Sequence, residues 1–194
     1  MRCFFTVFLL SLVSSVSVAG QFREGIHYLE MDREPTVIPM VMLFHSPYCG
    51  PCAMVHDPIL KLASDKGMDI KEVVVPVGKI GSDIQQGYVV AKRQNKAHVY
   101  IKALIRRIHF TKDEAPRYRK DVLDVLDDCG VDASEFETPS QCIKDEIGEH
   151  NLLVRQYRIR QTPTIIVNGN KQIILPSLKN MDELEALISE LYQG

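Results

Sequence analysis

Two cysteines separated by two residues, in the segment Cys49-Gly50-Pro51-Cys52, are the strongest chemical signal in the sequence. An apolar run precedes the segment and residues with helical periodicity follow it, which places Cys49 at a helix N-terminus. Unpaired backbone N–H groups and the helix dipole stabilise a thiolate at such a position. The sequence therefore predicts a redox-active pair, with Cys49 as the outer nucleophile and Cys52 as the resolving thiol.

Closely spaced cysteines also occur in zinc sites and in purely structural disulfides. A four-cysteine zinc site usually has a second short-spaced pair, whereas Cys129 and Cys142 lie far apart in the sequence. The position of the pair at a strand-to-helix junction favours redox chemistry over both alternatives. We therefore expect no bound metal and no cofactor beyond the cysteines themselves.

The elements that must hold this pair follow a strand-helix-strand pattern. Residues 26–31 are typical of a short edge strand, and the apolar run of residues 37–44 predicts a buried strand. Apolar residues recur at helical spacing over residues 51–64, and residues 69–77 are rich in β-branched side chains. The pattern indicates an α/β fold.

Residues 82–158 change to helical periodicity, which predicts an inserted helical subdomain. Within it, Gly130 fits the left-handed position after a helix end. The segment Thr138-Pro139-Ser140 predicts a cap and a first-turn proline for the next helix.

The C-terminal part returns to strand patterning before a final helix. Asn168-Gly169 separates two apolar runs, residues 164–167 and 172–175, and this dipeptide is typical of a tight hairpin turn. Asn180 precedes an apolar stripe at helical spacing and is the expected cap of the last helix.

The N-terminal segment, residues 1–20, predicts a cleavable secretory signal peptide, and the alternative is an uncleaved membrane anchor. A charged start is followed by an apolar run and by small residues, with cleavage expected after Ala19 or Gly20. Loss of Arg2 leaves 22 of the 23 basic residues against 25 acidic ones, a formal charge of −3. This weakly acidic chain has no polybasic patch, so nucleic acid is not an expected partner.

The second pair of cysteines is expected to be structural. Cys129 ends one predicted helix and Cys142 begins the next, so a disulfide between them would close a helical hairpin. Such a bond would contribute about 3 kcal/mol in the chain-entropy account. The alternative is two free buried thiols.

A family resemblance rests on two segments that flank the helical insert. Residues 44–52 (FHSPYCGPC) and 160–169 (RQTPTIIVNG) resemble the thioredoxin superfamily, and with the insert they resemble the DsbA family of periplasmic disulfide-forming proteins. The resemblance covers residues 21–194. It implies a thioredoxin fold with an inserted helical subdomain, divided into residues 21–81, 82–158 and 159–194.

The resemblance also implies roles for individual residues around the cysteines. Pro163 matches the family's cis-proline, which leaves the backbone of Thr162 free to pair with an extended substrate; the alternative is an ordinary trans proline. Gly50 and Pro51 would support the active site, and Tyr48 would contact substrate or simply pack.

Two departures from the family pattern concern the redox potential. Gly50-Pro51 stands where DsbA proteins typically have Pro-His, which predicts a less oxidising protein. Thr162 stands where valine is common in DsbA proteins and is more typical of isomerases and reductases. Its hydroxyl could hydrogen-bond the Cys49 sulfur.

A third departure leaves the proton acceptor of the inner cysteine unassigned. Leu43 stands where both families commonly have a buried acidic residue that moves the proton of this cysteine. His45 or His56 could substitute for it, or both could be histidines that only pack.

The resemblance implies an enzyme that catalyses thiol-disulfide interchange in exported cysteine-containing polypeptides, with disulfide formation as the leading direction. A membrane quinone-linked partner would then regenerate the disulfide. The alternative is a periplasmic reductase or isomerase with a reducing partner. A third alternative is a peptide-binding chaperone or a metal-binding module, neither of which would need redox turnover.

A monomer is expected, because no heptad pattern is present.

Overall fold

The fold is described from a computed structural model in which residues 21–193 are placed. The expected signal peptide, residues 1–20, lies outside the described residues. Within residues 21–193, no helix has both the length and the apolar character needed to cross a bilayer.

One mixed sheet is formed by five strands: β1 (Tyr28–Glu30), β2 (Val41–His45), β3 (Ile70–Val74), β4 (Thr164–Val167) and β5 (Lys171–Ile173). Their spatial order is β1-β5-β4-β2-β3. β2 pairs in parallel with β3 and antiparallel with β4. It begins at Val41, later than the apolar run suggests, because Pro39 has no N–H to donate and Val37 is fully exposed.

Helices surround the sheet: α1 (Gly50–Lys66), α2 (Gly81–Arg93), α3 (Ala97–His109), α4 (Arg119–Asp128), α5 (Ser134–Glu137), α6 (Gln141–Gln156) and α7 (Met181–Gln193), with a short 3₁₀ helix at Leu175–Ser177. α1 connects β2 to β3, whereas α2 to α6 all lie between β3 and β4. We call β1 to β5 with α1 and α7 the sheet unit, and α2 to α6 the helical unit.

Alternate residues of β2 face opposite sides of the sheet. Val41 and Leu43 belong to one core with apolar residues of α1 and α7. Met42 and Phe44 belong to another core on the opposite face. The helical unit has its own core, whose largest members are fully buried: Tyr88, Tyr100, Leu104, Leu126, Phe136 and Ile143. The strand that leads to the cysteine pair is therefore fixed from both sides.

Most local expectations are met, with one exception at the start of α6. Gly130 has a left-handed φ of 64°, and the Asn168-Gly169 turn has φ values of 50° and 75°. α6, however, starts after Ser140, so Pro139 precedes the cap and does not lie in the first turn. Within the described residues the Ser140 hydroxyl makes no hydrogen bond, so the expected side-chain cap is absent.

Candidate active site

The first turn of α1 holds the cysteine pair, and both cysteines are free thiols in the structure. Cys49 is the N-cap residue, and its Sγ accepts a hydrogen bond from the backbone N–H of Cys52, with 3.4 Å between nitrogen and sulfur. Pro51 lies in the first turn, where its missing N–H leaves no bond unmade. The backbone thus provides the donor that a thiolate on Cys49 needs.

The two sulfurs differ in exposure. Cys49 is partly exposed, whereas Cys52 is only 1% exposed. Burial, together with the contact to Cys49, raises the pKa of Cys52 to about 12, although Ser46 and Thr162 act in the opposite direction. Cys49 is therefore the sulfur that a substrate can reach, and Cys52 is protonated at neutral pH.

The loop that precedes β4 faces the cysteines. The Thr162-Pro163 peptide bond is cis, as the family resemblance implies. The Cys49 thiol donates to the backbone carbonyl of Thr162 at 3.0 Å between sulfur and oxygen, so the contact to Cys49 uses the main chain and not the expected hydroxyl. Thr162 and Pro163 thus lie directly against the outer thiol.

The turn before Cys49 is fastened to the helical unit. The Tyr48 hydroxyl donates to the backbone carbonyl of Pro116, and the Tyr48 ring packs against the helical core. Nε2 of His109, at the end of α3, lies 2.7 Å from the backbone carbonyl oxygen of Pro47. Tyr48 therefore has a packing role in the structure, and its contact with substrate stays a prediction.

An apolar groove runs beside the cis-proline. It is lined mainly by Pro51, Met54, Val55, Pro163, Leu175 and Met181. Met54 is 74% exposed although it follows Cys52 closely in α1. A contiguous apolar surface of this kind is typical of a site that binds another polypeptide.

Cys129 and Cys142 do not form the expected disulfide; both are free thiols among the described residues. Cys129 caps α4 and packs against the helical core, whereas Cys142 is exposed in the first turn of α6. Helix α5 lies between them in sequence, so the predicted simple helical hairpin is interrupted. The two sulfurs consequently lie in different environments.

A buried polar cluster between β2, α1 and β3 includes a residue that the sequence did not single out, Glu72 of β3. Its Oε2 lies 2.7 Å from Nε2 of His56 and 3.2 Å from Nε2 of His45, and only the former contact is oriented as a hydrogen bond. Glu72 pairs with Leu43 in the parallel register of β2 and β3. A carboxylate is therefore present on the neighbouring strand, beside position 43.

The charges in this cluster are set by opposing effects. Burial disfavours ionisation of Glu72, but the two histidines hold its pKa well below the ordinary range. Burial also disfavours a charged His56. The hydrogen bonds and negative charges of Glu72 and Asp57 have a larger effect than burial, so the pKa of His56 is raised. For His45, burial prevails and lowers the pKa. The cluster therefore pairs a carboxylate with one ring that gains a proton readily.

His45, His56 and Glu72 are also side chains of the types that bind zinc. Their ligand atoms lie within 4.8 Å of one another. Ligands bound tetrahedrally to one zinc ion at about 2.0–2.1 Å lie more than ~3 Å apart, whereas His56 and Glu72 are at the 2.7 Å of a hydrogen bond. The geometry fits a hydrogen-bonded cluster better than a metal centre.

Several known proteins are similar to this chain. A relative from Pectobacterium carotovorum subsp. carotovorum, named thiol:disulfide interchange protein DsbA, is 25% identical over 163 residues, 80% of this chain and 78% of the relative. The crystal structure of a DsbA disulfide interchange protein from Klebsiella pneumoniae has a TM-score of 0.79 at 19% identity, covering 91% of this chain and 100% of that one.

A further similar structure is that of a Proteus mirabilis DsbA variant with a non-covalently bound peptide. It has a TM-score of 0.74 at 17% identity and covers 90% of this chain and 100% of that one. The sequence profile of the DSBA-like thioredoxin domain family matches residues 50–189, which is most of the chain. The chain therefore belongs to the DSBA-like thioredoxin domain family and is a thiol-disulfide oxidoreductase.

Proposed function

We propose that this oxidoreductase introduces disulfides into exported polypeptides. The observation that carries the proposal is the Cys49 thiol, held at a helix N-terminus against Thr162 and Pro163 within a DsbA-like fold. A substrate thiolate would attack Cys49 in the disulfide form of the pair, which breaks the Cys49–Cys52 bond and forms a mixed disulfide. A second substrate thiolate would then attack the substrate sulfur and displace Cys49, so that the substrate leaves with a disulfide and the enzyme with two thiols. The cysteines alone would carry these electrons, without another cofactor.

The expected substrate is an extended, cysteine-containing segment of polypeptide. The backbone of Thr162 would pair with such a segment, and the apolar groove around Met54 would receive its side chains. The peptide bound to the Proteus mirabilis protein supports this class of ligand. Gly50 and Pro51 would shape the surface next to the reacting sulfur.

The location and the recycling partner belong to the same proposal. Export to the periplasm would follow from the predicted signal peptide, in a compartment where disulfides persist. The reduced pair would be reoxidised by a membrane quinone-linked partner of the DsbB type. We propose that the protein acts as a monomer.

A reductase or isomerase is the second candidate, and specific residues favour it. Gly50-Pro51 is the thioredoxin dipeptide, and Thr162 precedes the cis-proline where DsbA proteins commonly have valine. With no histidine donor between the cysteines, the reduced form would be less stabilised and the pair less oxidising. A reducing partner would then keep Cys49 and Cys52 as thiols.

The reduction potential of the pair separates these candidates. It would be measured by equilibration of residues 21–194 with glutathione buffers, for the wild type and for the double variant Gly50→Pro, Pro51→His. A wild-type reduction potential of about −120 mV would support the oxidase. A wild-type reduction potential of about −270 mV would favour the reductase. The double variant should be the more oxidising of the two proteins.

A further inference from the structure

The resolving cysteine has to exchange a proton in every redox cycle. When a substrate thiolate attacks Cys49, the Cys49–Cys52 bond breaks and its electron pair remains on Cys52 as a thiolate, which then takes up a proton. In the reverse half of the cycle the Cys52 thiol loses that proton before it attacks. Because Cys52 is 1% exposed, bulk water has little access to its sulfur, and Leu43 of β2 has no proton to exchange.

His56 is placed to serve Cys52. It lies four positions after Cys52 in α1, so the two side chains are neighbours on one face of the helix. His56 is likewise only 1% exposed. Side chains four positions apart on a helix have Cβ atoms about 5–6 Å apart, so the sulfur and the imidazole lie in the same buried region.

Both ring nitrogens of His56 face a carboxylate. Nε2 lies 2.7 Å from Oε2 of Glu72, and Nδ1 lies 3.3 Å from Oδ1 of Asp57. A protonated ring can donate to both oxygens at once, whereas a neutral ring can donate to only one. The surroundings therefore favour the ring that has just gained a proton.

A row of polar groups leads from His56 to the surface. Asp57 is 48% exposed, and its Oδ1 lies 3.9 Å from Nδ1 of His98, which is 51% exposed on α3. The rings of His56 and His98 are stacked, with 6.1 Å between centroids and 11° between planes. The helical unit thus covers His56 with a titratable ring that reaches solvent.

We propose that His56, held by Glu72, exchanges the proton of Cys52, and that Asp57 and His98 pass this proton to and from solvent. The inference rests on the proposed redox cycle but not on its direction. In substrate oxidation the relay gives a proton to the Cys52 thiolate, and in reoxidation it receives one. The two electrons stay on sulfur throughout, and the relay carries protons only.

Other charged groups around His56 are compatible with this assignment. His45 of β2 also faces Glu72, and burial lowers the pKa of its ring. From α2, Tyr88 faces Glu72, and burial with that charge raises the pKa of Tyr88, so it keeps its proton. Nζ of Lys102 lies 3.6 Å from Oδ2 of Asp57 at the surface end of the row.

The test measures the resolution step alone. Reduced protein is converted to the mixed disulfide between Cys49 and a small thiol, and the rate of attack by Cys52 is followed by stopped flow between pH 5 and pH 9. We expect His56→Gln to slow this step about tenfold or more at pH 7 and to remove the inflection of the wild-type profile. Glu72→Gln should keep the inflection but move it to lower pH, because it removes the charge that stabilises the protonated ring.

Two further variants keep the experiment decisive. His150→Gln removes a buried imidazole outside the relay and should leave the profile unchanged. His98→Asn alters only a half-exposed residue, should fold normally, and should slow the step less than His56→Gln, with recovery in concentrated buffer. Superimposable profiles for the wild type, His56→Gln and His98→Asn would overturn the relay. A wild type that never forms or resolves the mixed disulfide would instead refute the proposed function.

Discussion

The sheet unit and the helical unit each contain two cysteines, and only one pair is built for redox chemistry. Cys49 is an N-cap residue whose sulfur has a backbone donor, and Cys52 is buried one turn later. Cys129 ends a helix, where the dipole opposes a negative charge, and burial raises its pKa. Only Cys49 and Cys52 therefore share one helix turn, whereas Cys129 ends α4 and Cys142 lies in the first turn of α6.

Buried histidines differ between the two units in the same way. In the sheet unit, His56 is paired with Glu72 and keeps a titratable ring. In the helical unit, neither ring nitrogen of the buried His150 has a hydrogen-bond partner within residues 21–193. Burial lowers the pKa of His150 to about 4. His56 thus has a carboxylate partner for its proton, whereas the folded protein loses stability when His150 is protonated.

The largest expected effect distinguishes the cysteine pairs. Cys49→Ser should reduce catalysis of disulfide exchange to the uncatalysed background, because it removes the nucleophile. Cys142→Ser should leave the rate unchanged, since this thiol is exposed far along the chain from the active site. The measurement is the rate of oxidation of a dithiol peptide in a glutathione buffer.

Cys129→Ser is the matched control for a partly buried thiol of the helical unit, and its folding would be checked by circular dichroism. If either helical-unit variant lost activity while remaining folded, the distinction between the two pairs would be wrong. Residual activity of Cys49→Ser well above background would also contradict it.

The second prediction concerns the stability of the helical unit against pH. The folded-state pKa of His150, about 4, lies below its ordinary value of 6.5, so the unfolded chain binds more protons between these values. Stability should therefore fall as the pH is lowered from 6.5 to 4, by up to about 3 kcal/mol from this group. Urea denaturation at pH 7.5 and pH 4.5 measures the change.

The variant His150→Leu isolates this contribution. It should lose less stability than the wild type between these two pH values, because the leucine has no proton to gain. His45 and Glu72 act equally in both proteins, so the difference between them reports His150 alone. Equal losses in the two proteins would show that His150 is not the group responsible.

The third prediction compares two glycines of the helical unit. A Cβ at Gly87 would lie 2.8 Å from Cζ of Tyr100 and 3.2 Å from Cγ1 of Val122, whereas one at Gly148 would meet nothing within 4 Å. Gly87→Ala should destabilise the protein by about 1–3 kcal/mol through overpacking. Gly148→Ala should stabilise it by about 0.5–1 kcal/mol, because alanine favours the exposed helix. Denaturant midpoints that move in the same direction would refute the packing account.

The sequence predicts the fold class, the redox pair and the cis-proline, because each depends on residues that are neighbours in the chain or that match a family motif. Glu72 was missed because its role depends on the pairing of β2 with β3, which brings it beside Leu43. The predicted disulfide failed for a related reason. Whether Cys129 meets Cys142 depends on how α5 separates the helices that carry them, and periodicity alone does not reveal this.

The smallest expected effect concerns the contact between the two units. The Tyr48 hydroxyl donates to the Pro116 carbonyl and so ties the turn before Cys49 to the segment before α4. Tyr48→Phe keeps the ring in the helical core but removes this bond, which should destabilise the protein by about 1 kcal/mol. Because Cys49 keeps its own backbone partners, the reduction potential should stay the same. A shifted potential with unchanged stability would show instead that the helical unit tunes the sulfur chemistry directly through Tyr48.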